Sequence, residues 1–144
     1  MKDSFKTIIM IAALAGVIFL QHTLVAKNSP AAGGSEANQK IIATLKIDFG
    51  GGDVRTFNDI ELEEGATVFA LLKKTAEKNN LELSFKEFPG TGVFIESIDG
   101  LPIGTENNKW WQYWVNEEYA NVGASSFKLK NGDSIEWKYI EGQF

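Results

Sequence analysis

Cysteine is absent from the 144-residue chain. That absence removes structural disulfides, thiol nucleophiles, Cys-ligated zinc, iron-sulfur clusters and the lipid-modified cysteine of a bacterial lipoprotein. Histidine is nearly absent too, since the only one, His22, lies beside a hydrophobic N-terminal run. A Ser-His-Asp triad or a His-rich metal centre in the globular part is therefore excluded. Positive charge is scarce. From Lys40 onward there are 11 basic and 17 acidic side chains, a balance of −6, which speaks against nucleic acid or an anionic membrane surface as the partner. No repeat with a period of about 20 to 50 residues is evident, which disfavours solenoids and propellers. What remains, at 44% apolar and 23% charged, is an ordinary globular composition with room for one domain and an appendage.

The appendage comes first. In "MKDSFKTIIMIAALAGVIFLQHTLVA", Lys2 and Lys6 precede an uncharged apolar run over residues 7–20. Extended through residue 26, the run reaches roughly the 20 residues that a bilayer-spanning helix needs. Residues 1–26 are read as a membrane-insertion signal, either an uncleaved N-terminal anchor or a cleaved signal peptide. Leu24 is bulky where a cleavage site after Ala26 wants a small residue, which favours the anchor. The positive N-terminus would stay inside and the remainder would face outward, so the expected location is the cell membrane, or the exterior if cleavage occurs. Residues 27–40, "KNSPAAGGSEANQK", contain no large apolar side chain and read as a flexible linker.

The remaining residues, 41–144, must make one small domain. "IIATLKIDF" and "VRTFNDIEL" flank a glycine-rich break and predict a β-hairpin. In "TVFALLKKTAEKNN", Val68, Leu71, Leu72, Thr75 and Ala76 fall along one stripe. That predicts an amphipathic helix with Thr67 as N-cap and Asn79-Asn80 as stop. "LELSFKEF", "VFIESI", "WWQYWVN" and "SIEWKYI" return to a period of two and predict strands, with a long polar loop over residues 99–109. The expected class is α+β: a β-grasp-like mixed sheet with one helix packed on one face, preceded by the N-terminal hydrophobic helix and linker.

"WWQYWVN", residues 110–116, holds three of the four tryptophans and one of the three tyrosines. Strand alternation sends Trp111, Tyr113 and Val115 to one face and Trp110, Gln112 and Trp114 to the other. The set ending in β-branched Val115 is the natural core face. Two outward indoles about 7 Å apart, two residues at roughly 3.3 Å each, would make an apolar platform with an amide between them. The alternative is that the linker, the 99–109 loop or the C-terminus folds over this face and makes the tryptophans core. Tyr119, just after the strand, either extends the platform or packs within its hairpin, and Trp137 is expected in the core.

"WWQYWVNEEYANVGASSFKLKNGDSIEWKY", with "ATLKIDFGGGDVRTFNDIELEEGATVFALLKKTAEK", resembles the bacterial domain-of-unknown-function family related to the C-terminal β-grasp domain of transcobalamin and intrinsic factor. The resemblance covers about residues 41–140 and is most specific in the aromatic strand, "YANVGA" and "LKNGDSIEWKY". In the vitamin B12 carriers the related domain is a lid over cobalamin held by a separate helical barrel, which this chain does not carry. The resemblance thus implies ligand binding and not catalysis, with cobalamin as the example ligand and no resident cofactor. The family commonly has glycine after the strand's asparagine, whereas here Glu117 and Glu118 follow Asn116. Glutamate tolerates positive φ poorly, which predicts a longer turn or one of another type.

Other motifs have plainer readings. "GGGD" and "PGTG" lack the ending and the strand-helix setting of a P-loop and read as turns. Glu61, Glu63 and Glu64 do not have EF-hand spacing and read as a solvated acidic turn. Asp99, Glu106 and Asp133 would serve a glycosidase only at a paired distance that sequence does not give. The expectation is a non-catalytic, membrane-tethered and monomeric small-ligand-binding module, with Trp110, Gln112, Trp114 and Tyr119 as ligand-binding residues and no metal site. The alternative is a cell-surface adaptor that docks another protein.

Overall fold

The computed structural model describes residues 39–104 and 108–142. The expected anchor or signal peptide, the linker up to residue 38, and Glu106 lie outside the described residues. The first strand, β1 (Lys40–Asp48), alternates as anticipated, turning Ile41, Ala43, Leu45 and Ile47 inward. A tight turn closed by Phe49 N–H to Asp53 O at 2.9 Å reverses the chain into β2 (Val54–Glu63). The two strands pair antiparallel with a register shift at Ala43/Leu45, where Asp59 on β2 takes a left-handed φ of 53°. This is a bulge that twists the outer strand.

The single helix among the described residues, α1 (Val68–Asn79), begins and ends where its sequence signals stand. Thr67 Oγ1 accepts from Ala70 N–H at 3.2 Å, and Asn80 takes the left-handed conformation and returns its own N–H to Ala76 O. The stripe Val68, Leu71, Leu72, Thr75 and Ala76 is buried. Thr75 is polar yet satisfied, because its hydroxyl donates to Leu71 O at 2.8 Å.

After the helix come β3 (Leu83–Phe88), β4 (Gly92–Ile98), β5 (Leu101–Pro102), β6 (Lys109–Val115), β7 (Glu118–Tyr119) and β8 (Ser134–Glu141). The main sheet has the order β2-β1-β8-β6-β7, with β1 and β8 parallel in the middle and every other pair antiparallel.

The strands from 83 to 102 do not join that sheet. They form a separate three-stranded sheet, β3-β4-β5, the last of them inside the stretch expected to be loop. Geometry explains the difference. A twelve-residue helix is only about 18 Å long and cannot cover the inner face of five strands. Ile95 and Ile98 from the small sheet enter the same core, and Phe85 meets Phe69 of α1 edge-on at 4.8 Å.

The core layer of β6 and β8 is aromatic. Trp111 stands opposite Tyr139 and Tyr113 opposite Trp137, each pair with ring centroids 5.0 Å apart. Trp111 Nε1 donates to Leu101 O at 2.9 Å and Tyr139 Oη to Pro102 O at 2.6 Å. These bonds tie the described part of the 99–109 stretch to the inner face. Tyr113 Oη donates to Val122 O at 2.6 Å, and burial, with a lesser contribution from Tyr119, pushes its phenol up to about 12.

Candidate functional site

Alternation along β6 is as the sequence implies. Trp111, Tyr113 and Val115 are buried, while Trp110, Gln112 and Trp114 face outward. Register places Lys46, Glu136, Trp114 and Tyr119 in one row across the outer face of the main sheet. Asp48, Lys138 and Gln112 form the next row, and Ile140 stands beside Trp110. Strand pairing thus brings Trp110, Gln112, Trp114 and Tyr119 onto one surface.

The row is electrostatically connected. Glu136 accepts from Lys46 Nζ at 2.8 Å and Lys138 Nζ at 3.2 Å. Partial burial pushes the Glu136 carboxyl up, but the two ammonium groups outweigh it and hold the group below the usual carboxylate range. The hydrogen bond to Glu136 in turn raises Lys46. Lys138 Nζ also lies 4.6 Å from the Trp114 ring centroid, and the edge of Tyr119 meets Trp114 at 5.3 Å. Trp114 therefore contacts both a cation and a second ring.

The surface differs from the platform expected of the strand. Trp110 and Trp114 are half-buried, whereas Tyr119 is 52% exposed. Neighbouring side chains on the strands supply the partial cover: Lys138 and Tyr119 for Trp114, with Ile140 opposite Trp110 in the pairing. Gln112 Nε2 reaches Glu141 O at 3.4 Å, and its Oε1 is buried without a hydrogen-bond partner among the described residues. That oxygen is an unused acceptor between the indoles. Lys46, Glu136, Lys138 and Ile140 were not anticipated as site residues, although alternation in "SIEWKYI" points the last three of them outward.

The turn after β6 corrects an expectation. Val115 pairs with Glu118, so only Asn116 and Glu117 make the loop, with φ of 49° and 71°. This is the primed two-residue turn that fits twisted strands, adopted without glycine. Neighbouring β8 compensates. Asn116 N–H donates to Ser134 O at 2.8 Å, its Oδ1 accepts from Ser134 N–H at 2.9 Å, and its Nδ2 donates to Asp133 Oδ1 at 2.9 Å. Asp133 is itself buried and also accepts from Lys130 N–H at 2.8 Å. Tyr119 borders a recess of about 400 Å³ beside this hairpin, shared with Val115, Glu118 and Phe127.

The remaining candidates stay apart. Asp99 holds Arg55 at 2.6 Å, while Asp133 serves the β8 turn, and each carboxylate has its own partner. Glu61 pairs with Lys40 at 3.2 Å, and the described residues contain no group of three acidic or imidazole side chains placed to hold a metal. "GGGD" and "PGTG" are turns.

Comparison with known proteins bears on the fold and the family. No curated protein matches the chain in sequence. Haptocorrin, solved in complex with Cbi, superposes with a TM-score of 0.65 at 18% identity over 77% of this chain. The match spans only 27% of the haptocorrin chain. The crystal structure of a candidate metal binding protein from Ruminococcus gnavus matches with a TM-score of 0.54 at 22% identity, covering 71% of this chain and 98% of that one. At such identities the likeness concerns the fold, and it meets the expected kinship with a transcobalamin-type domain at that level. Residues 65–141 match the family described as "Domain of unknown function (DUF4430)", more than half of the sequence, and the chain belongs to that family.

Proposed function

We propose that this domain is a non-catalytic, β-grasp-type ligand-binding module whose outer sheet face takes a flat, amphipathic small molecule, with a corrinoid as the class to test first. One observation carries the reading: Trp114 meets both the Lys138 ammonium and the Tyr119 ring on the face turned away from the helix. A planar ligand laid there gains apolar contact from Trp114, Tyr119 and Trp110, while Lys138 offers a polar contact at its rim. Covering one large aromatic contributes roughly 1.5 to 3 kcal/mol before entropy losses. The fold shared with haptocorrin supports the choice of ligand class.

The test is titration of the full chain with cobinamide, followed by calorimetry and tryptophan fluorescence. Saturable heat and quenching are expected, both lost in Trp114→Ala and weakened in Trp110→Ala. Binding that is absent, or unaltered in both variants, overturns the assignment.

The same reading makes the module a monomer tethered outside the membrane by residues 1–26. Mass spectrometry of the membrane-bound mature protein checks this, since absence of those residues removes the anchor. A docking face for another surface protein is the second reading. It is favoured by Ile42 and Val54, 45% and 43% exposed at opposite ends of the β1–β2 pair. Cross-linking in intact cells would trap such a partner through Lys46 or Lys138.

A further inference from the structure

We propose that the groove between the tip of the β3–β4 hairpin and the turn at residues 123–126 is a second ligand site, shaped for a neutral saccharide. The groove measures about 590 Å³ and is walled by Glu87, Phe88, Pro89, Thr91, Ser125 and Ser126, with glycines at 90 and 92 in its floor.

Its walls are fixed before any ligand arrives. Thr91 N–H donates to Phe88 O at 3.0 Å, closing a four-residue turn with Pro89 second and Gly90 third, the latter at φ 77°. Proline presets the first angle and glycine supplies the second, which is the type II arrangement. The hairpin is then pinned to the 123–126 turn. Val93 N–H donates to Ser125 Oγ at 3.1 Å, and a Cβ at Gly92 would come within 2.5 Å of that same oxygen. Only glycine permits so close an approach. Because Ser125 Oγ accepts from Val93, its own hydrogen is left to donate elsewhere.

The chemistry of the lining selects the ligand. Phe88 is 49% exposed, an apolar ring held at the rim. Around it stand three hydroxyls, which both donate and accept, and one carboxylate, which only accepts. An anionic ligand would meet Glu87 with no cation in the lining to offset it. A cationic ligand would find a single carboxylate and leave the hydroxyls and ring unused. A sugar presents one C–H face to a ring and hydroxyls around its edge, which matches both halves of the lining. A preformed rim also lowers the ordering cost of binding. None of these residues belongs to the Trp114 surface, so the two sites fail or succeed separately.

The test is a two-dimensional amide spectrum of the full chain titrated with maltose and, separately, chitobiose. We expect saturable shifts at Gly90, Thr91, Gly92, Ser125 and Ser126 with one of the two sugars, and none at the Trp110 and Trp114 indoles. Phe88→Ala should weaken that binding at least about tenfold while the rest of the spectrum is unchanged. Ser126→Ala, a smaller change at an exposed position of the turn, should weaken it by a lesser factor. No shift with either sugar, shifts confined to the outer sheet face, or undiminished affinity in both variants would overturn the site.

Discussion

Strand β6 presents the same kinds of side chain to two different worlds. On its inner face Trp111 and Tyr113 each have a ring partner and spend their polar atom on a loop carbonyl, Leu101 O or Val122 O. On its outer face Trp114 is held by a cation and a ring edge, and Gln112 keeps an acceptor unused. Both faces are aromatic, so hydrophobicity alone does not separate scaffold from site. What separates them is direction. The inner polar atoms fasten the stretch at 101–102 and the segment near 122 onto the sheet, while the outer contacts are made with side chains of neighbouring strands, Lys138 and Tyr119.

The contrast can be broken most forcefully from inside. Trp111→Ala removes a buried ring and the bond to Leu101 O, and should cost about 3 to 5 kcal/mol, read as a lowered urea midpoint. Alkaline titration comes next. The Tyr113 phenol is raised from 10.0 to about 12 in the folded protein, so folding favours its neutral form. That stabilisation is complete below pH 10.0, where the unfolded group is still protonated, and is lost as pH rises through about 12. Ultraviolet titration should show the Tyr113 phenol ionising late, coincident with alkaline unfolding.

Glu117→Gly tests the turn that joins β6 to β7. It should stabilise by roughly 1 kcal/mol, because glycine takes φ 71° without the steric penalty that glutamate bears. The smallest effect belongs to Trp114→Ala. Removing this half-exposed ring should lower the unfolding free energy by less than about 1 kcal/mol, read from the urea midpoint. A Trp114→Ala variant as unstable as Trp111→Ala would erase the distinction between the faces.

Much of this was legible in the sequence because it is local. Thr67, the five-residue stripe and Asn80 specify α1 within one stretch of chain, and alternation alone divides "WWQYWVN" between core and surface. What was not legible depends on pairing partners distant in sequence. The strands of 83–102 carry the same period-two signal as the others, and nothing local says that they pair with one another in a second sheet. Likewise, Glu117 reads as a poor turn residue until Asn116 is seen bonded to Asp133 and Ser134 on β8. The partial cover over the indoles has the same origin, since Lys138 comes to lie above Trp114 only through the β6–β8 register.

The parallel pair β1 and β8 carries a consequence for how the protein comes into being. The two strands at the centre of the main sheet are the first and last described strands, so the sheet has no middle until Ser134–Glu141 has been synthesised. Hairpins β1–β2 and β3–β4 can form early and meet α1, but β6 is joined to β1 only through β8. The central pairing is therefore the last to form, and a chain interrupted before β8 leaves β1 and β6 without the strand that joins them.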